Sequence, residues 1–132
     1  EYRNPSLCRY SDVFCIDKTR VVLQNREGDE DFIHANWVGS PEPGATNYIC
    51  TQAPLTETQE DFWHMCFTEK ASLILMMCNY TEGYSAALIE KCSHYFPGNP
   101  NDKMQFGPYT VTMKDKLAEP EIEDSDLSVM EI

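Results

Sequence analysis

Leu73-Ile74-Leu75-Met76-Met77-Cys78 are six consecutive apolar residues without alternation, and this run constrains the fold more than any other segment. A strand with one wet face alternates apolar and polar side chains; a continuous run over Leu73–Met77 asks for cover on both faces, as in a sheet packed between helices. The run is far short of the ~20 apolar residues that cross a bilayer, and no segment reads as a signal peptide. A helix start precedes it: Thr56 and Gln59 fit the Ser/Thr-x-x-Glu/Gln capping pattern, and Phe62, Trp63, Cys66 and Phe67 recur at helical spacing as one apolar face.

The remaining elements follow from the same patterns. Residues 1–19 read as an extended arm with turns. Strands are expected at Val21–Leu23, Phe32–Val38 and Asn47–Gln52, the last stopped by Pro54. Asn25–Glu30 is a polar turn, and 79–90 a loop with a short helical turn at Ala86–Glu90. Tyr109–Met113 alternates as a half-exposed strand, with Leu127–Ile132 as its hairpin partner. Together these predict an α/β (α+β) fold, a mixed twisted sheet with covering helices.

The net charge of −12 excludes partners that need a basic surface. Glu27, Asp29, Glu30 and Asp31 share one turn, and from Asp115 to Ile132 seven acidic residues face one lysine, Lys116. No basic patch matches a phosphate backbone, so no nucleic acid partner is expected, and no membrane. Neither acidic run has the glycine and oxygen-ligand spacing of a calcium loop, so both read as solvated turns. The six cysteines are widely spaced and lack a Cys-x-x-Cys. Cys50, Cys66 and Cys78 sit in apolar runs, so all six are expected as reduced thiols of a cytoplasmic protein. His64-x-Cys66 and Cys92-x-His94 each offer two metal ligands, but one site would need both pairs; no metal and no cofactor is expected, and His34, His64 and His94 read as ordinary strand or helix residues. Asn79-Tyr80-Thr81 matches a glycosylation triplet.

Six segments occur in a telling order: Arg9-Tyr10-Ser11-Asp12-Val13, Asp17-Lys18-Thr19-Arg20-Val21, Asp31-Phe32-Ile33-His34-Ala35-Asn36, Tyr48-Ile49-Cys50-Thr51-Gln52-Ala53-Pro54-Leu55, Asp61-Phe62-Trp63-His64-Met65 and Lys91-Cys92-Ser93-His94-Tyr95-Phe96-Pro97. In this order they resemble the N-terminal half of a protein tyrosine phosphatase domain. The resemblance implies that residues 1–132 are a partial, tyrosine-phosphatase-like domain with an incomplete fold and an unfinished sheet. It also implies two substrate contacts. The tyrosine at the position of Tyr10 packs its ring on a phosphotyrosine, and the aspartate at the position of Asp12 accepts hydrogen bonds from the peptide backbone. Both make physical sense, since an aromatic wall deepens the slot and a carboxylate fixes the register. Lys91 matches the lysine of the family's Glu-to-Lys loop. Glu82 lies nine residues upstream, farther than the family's glutamate, so Gly83–Glu90 looks like an insertion or the glutamate is lost, and neither residue is expected to be catalytic. Cys8, Ala53 and Phe96 depart from the family's asparagine, glycine and tryptophan. Ala53 matters most, because a glycine adopts backbone angles that alanine resists. The drift is similar to the multiplied phosphatase-like proteins of insect bracoviruses, which would place the protein in host-cell cytoplasm.

Cysteine phosphatases need a low-pKa thiolate, a phosphate loop with arginine, a general acid and an aromatic slot. The family signature places arginine six positions after the nucleophile. Here those positions hold Phe14, Val21, Thr56, Ser72, Tyr84 and Gly98, and no arginine follows Arg26. Trp37 and Trp63 precede Val38 and His64, so neither begins a Trp-Pro-Asp loop. The sequence therefore predicts no catalytic residue. One reading is a pseudophosphatase that binds a phosphotyrosine-containing or other signalling protein. The alternative is a fragment of an active phosphatase, in line with a start at Glu1, whose catalytic half lies elsewhere. A relic without a folded state is the third.

Overall fold

A computed structural model describes residues 5–44, 46–83, 87–116 and 130–131, and the chain is α+β. Two compact units divide it, Glu1–Ser93 and His94–Ile132.

The first unit is built on a three-stranded antiparallel sheet in the order β1 (Arg20–Val22), β2 (Phe32–Val38), β3 (Tyr48–Thr51). Sequence explains the packing: Val21, Leu23, Ile33 and Ala35 alternate with more exposed neighbours and are the buried members. Between β1 and β2 the register shifts from Arg20↔Asn36 to Val22↔Phe32. There the Arg20 guanidinium grips both carboxylate oxygens of Asp31, at 3.3 and 3.1 Å. Asn36 ties down the arm before β1, donating to Ile16 O (2.7 Å) and accepting from Ile16 N–H (3.2 Å).

The helix α1 (Gln59–Thr68) follows a single 3₁₀ turn, Thr56–Thr58. Its start differs from the expected box. The tight turn closes from Thr58 N–H to Leu55 O (3.0 Å), which brings the Thr58 hydroxyl to the Leu55 N–H at 2.9 Å. Thr56 is exposed, and Gln59 donates instead to Ser93 Oγ at 2.9 Å. The apolar face also differs. Phe62 and Met65 are buried, whereas Phe67 is 71% exposed. The helix is rotated because His64 Nε2 lies 2.6 Å from Gln24 O, and Arg26 bridges Glu60 (3.0 Å) and Asp61 (3.4 Å), so the side facing the loop after β1 is the buried one. The helix ends in a Schellman motif, with Ala71 N–H donating to Cys66 O (2.9 Å) and Lys70 N–H to Phe67 O (3.3 Å). Lys70 takes the left-handed position, φ 55°, that glycine usually fills.

Leu73–Met77 is not a buried strand. It has no regular structure; Leu73, Leu75 and Met77 are all strongly exposed, Met77 at 90%. An apolar run specifies a wish for burial, but a strand forms only where a neighbouring backbone supplies donors and acceptors, and among the described residues none pairs with it. Ile89–Glu90, expected within a helical turn, is instead β5, paired with β4 (Thr81–Glu82). Ala86 lies outside the described residues.

The second unit contains a hairpin of β6 (Lys103–Phe106) and β7 (Tyr109–Thr112). Its two-residue turn is Gly107-Pro108: glycine takes φ 53° while proline is fixed at negative φ, the type II′ arrangement. Phe106, Val111, Met113 and Tyr95 are buried. β7 thus forms within the strand expected at Tyr109–Met113, ending one residue earlier at Thr112, and its partner is β6 rather than the segment expected. The expected partner segment enters a separate pair, β9 (Met130–Glu131) with β8 (Asp115–Lys116); positions 127–129 and 132 lie outside the described residues. All pairings among the described residues are antiparallel.

Candidate functional site

Three of the sequence segments converge in the first unit, and Arg9 is the knot. Its backbone N–H donates to Gln52 Oε1 (2.9 Å). Its guanidinium donates to the carbonyls of Ala53 (3.1 Å), Pro54 (2.8 Å) and Glu90 (3.4 Å). Gln52 Nε2 returns a bond to Leu7 O at 2.9 Å, closing the arm onto the loop after β3. The Pro54 carbonyl also accepts from Ser93 N–H (3.2 Å) and Ser93 Oγ (2.7 Å). From the β4–β5 hairpin, the Tyr80 carbonyl accepts the N–H groups of Lys91 (2.8 Å) and Cys92 (3.3 Å). The guanidinium is therefore committed to carbonyls, and what the knot displays is the next residue, Tyr10.

The Tyr10 ring is 43% exposed. The Lys91 ammonium lies 5.5 Å from the ring centroid and 3.4 Å from the phenol oxygen, within cation–π range. Together they edge an open cleft of about 450 Å³ that Leu55, Glu57, Ile89 and Glu90 also line. Asp12 stands two residues on in an exposed turn and does not line the cleft. Glu82, the other half of the Glu-to-Lys comparison, spends Oε1 on the Asn79 N–H at 3.2 Å.

The cleft is thus lined by an aromatic ring, two cationic residues, Arg9 and Lys91, and two acidic ones, Glu57 and Glu90. Of the expected site residues, the structure places Tyr10 at this cleft, beside Lys91, and leaves Asp12 outside it. Arg9, Gln52 and Ser93 were missed as organising residues although all lie inside the motif segments; their signal was the motif, not their chemistry. Glu57 and Glu90 carried no signal at all. Ala53 is not among the residues with positive φ, so the backbone there suits alanine without strain, contrary to expectation.

None of the shifted thiols resembles an activated nucleophile. Burial pushes Cys66 up to about 12 and Cys92 up to about 11, and likewise raises Cys8 and Cys15. All six cysteines are free. Among the described residues no three His, Cys, Asp or Glu side chains come together as a metal-ligand set. His64 is a helix residue and His34 a strand residue whose buried Nε2 has no hydrogen-bond partner among the described residues, while His94 lies in a loop rather than the expected regular element. No helix among the described residues is long and apolar enough to cross a membrane.

The family model for protein-tyrosine phosphatases matches residues 4–132. Among curated relatives, the rat tyrosine-protein phosphatase non-receptor type 9 is 40% identical over 79% of this chain and 17% of its own length. The mouse tyrosine-protein phosphatase non-receptor type 7 is 33% identical over 92% of this chain and 32% of its own. The Caenorhabditis elegans inactive protein-tyrosine phosphatase egg-4 is 39% identical over 75% of this chain and 12% of its own. The chain therefore spans less than a third of each of these relatives.

Proposed function

The chain belongs to the protein-tyrosine phosphatase family, and from that premise we propose that residues 1–132, as a partial phosphatase-like domain, bind phosphotyrosine-bearing segments of cytoplasmic signalling proteins without hydrolysing them. The observation that carries this reading is the Tyr10–Lys91 pair held by the Arg9 knot. A phosphotyrosine ring stacks on Tyr10, the Lys91 ammonium turns from the Tyr10 ring to the phosphate, and Asp12 accepts the backbone N–H groups of the bound segment. Hydrolysis needs a thiolate six positions before an arginine, and these 132 residues contain no such pair. The similarity to a relative named as inactive supports the same view.

The test is a titration of the purified chain with a phosphotyrosine peptide, its unphosphorylated form and a phosphoserine form, alongside phosphate release. Binding specific to phosphotyrosine with no release is expected. Tyr10→Ala should weaken it about 2- to 10-fold, the worth of one aromatic contact. Catalytic release of phosphate would overturn the inactive reading.

A second reading has its own support. Relatives named as phosphatases match as well as the inactive one does, and the chain covers only 17% of the rat protein. On that reading Tyr10 and Asp12 form the substrate wall of a working enzyme. The transcript past residue 132 separates the two: a Trp-Pro-Asp and a His-Cys-x5-Arg favour the enzyme, a stop codon the binding protein.

A further inference from the structure

The charges around the cleft do not match a phosphate taken alone. Arg9 keeps its positive charge, but three of its N–H donors are taken up by carbonyls, so it can offer a phosphate fewer direct hydrogen bonds. Lys91 is the remaining cation of the lining, and Glu57 and Glu90 stand against it. Both glutamates are exposed, and neither carboxylate takes part in an ion pair or side-chain hydrogen bond among the described residues. A phosphorylated tyrosine reaching Lys91 therefore brings its flanking residues past two unpaired negative charges, on a chain whose net charge is −12.

We propose that this cleft selects phosphotyrosine segments flanked by lysine or arginine, with Glu57 and Glu90 as the groups that set the preference. The inference rests on the phosphotyrosine reading above and names the class of segment that the same site takes. Three effects act together. Lys91 meets the phosphate, the two carboxylates meet flanking cations, and the overall charge speeds the approach of basic partners while slowing acidic ones. Pairs of this kind are solvent-exposed and individually weak, so a preference of about three- to tenfold is expected from two of them. It is also expected to fade with salt, because the screening length falls from ~10 Å at 0.1 M to ~3 Å at 1 M.

The experiment is a fluorescence-anisotropy titration of the 132-residue chain with two phosphotyrosine peptides, one flanked by lysines and one by glutamates. The quantity read is the ratio of their affinities on one protein sample, so that any change in folded fraction cancels. The lysine peptide should bind more tightly at low salt, and the ratio should approach one in the Glu57→Gln/Glu90→Gln variant. The Asp29→Asn/Glu30→Gln variant makes the same change in net charge outside the cleft and should keep the ratio. Equal binding of the two peptides, tighter binding of the acidic one, or a ratio that follows net charge alone would overturn the selectivity while leaving phosphotyrosine binding intact. Failure of both peptides to bind would overturn the selectivity and the underlying reading together.

Discussion

Arg9 shows how a residue in a recognition motif serves architecture first. Its planar fork meets the carbonyls of Ala53, Pro54 and Glu90, which belong to segments more than forty residues away in sequence. A lysine keeps the charge but is a single point, so Arg9→Lys leaves part of this set unmet. Hydrogen bonds to charged groups contribute about 1.5–3 kcal/mol each when shielded; these are partly exposed, so a loss of roughly 1–3 kcal/mol is expected in urea unfolding, with weaker binding at Tyr10 because its support moves. Lys70 is the opposite case, a residue sitting where its backbone is strained. At φ 55° an L-residue with a Cβ is disfavoured by roughly 1 kcal/mol, so Lys70→Gly is expected to stabilise the chain by about that much, read as a higher urea midpoint. A midpoint that falls would mean that the lysine side chain contributes more than the turn geometry costs.

At the scale of elements, what was legible depended on whether a signal was local. The strand expected at Phe32–Val38 forms with those bounds, because its mix of apolar and polar residues and the Gly39-Ser40-Pro41 turn residues that follow it are local signals. The helix was found, but its buried side was not. That side is set by the bonds of His64 and Arg26 to a loop and to acidic side chains, which no periodicity encodes. β6 had no counterpart among the expected strands, although Gly107-Pro108 is a local turn signal between it and β7. The convergence of Arg9, Pro54 and Ser93 was invisible except through the motif, since the chain distances are long and the acceptors are backbone atoms. Leu73–Met77 failed for the most instructive reason: apolarity predicts what a segment seeks, not whether a partner strand is present. Hydrogen exchange tests this element directly. The amides of β2, paired on both sides, should be the slowest of the first unit, while those of 72–78, with no ladder among the described residues, should exchange orders of magnitude faster. Protection across 72–78 equal to that of β2 would show that the run does find a partner in solution.

For the molecule as a whole, buried proton-binding groups set a limit on the alkaline side. In the unfolded chain, thiols lose their protons near 9.0 and the phenol of Tyr80 near 10.0; in the fold, burial first of all pushes Cys66 and Tyr80 up to about 12 and Cys92 up to about 11. The folded state therefore holds these protons more tightly than the unfolded one. Their contribution to stability is fully present below about pH 9 and is lost as pH rises through the range from 9 towards 12, because only the unfolded chain gains by ionising there. The net charge of −12 works in the same direction, since each further ionisation adds to self-repulsion. The urea midpoint should thus be nearly flat between about pH 7 and 8.5 and fall steeply above it. Cys66→Ala separates the two causes. It lowers the midpoint at every pH by leaving a cavity, yet its alkaline fall should be shallower than that of the parent chain, because one of the protons released on unfolding is gone. If the two curves ran parallel through pH 9–11, the alkaline loss would belong to general charge repulsion and not to the buried thiol.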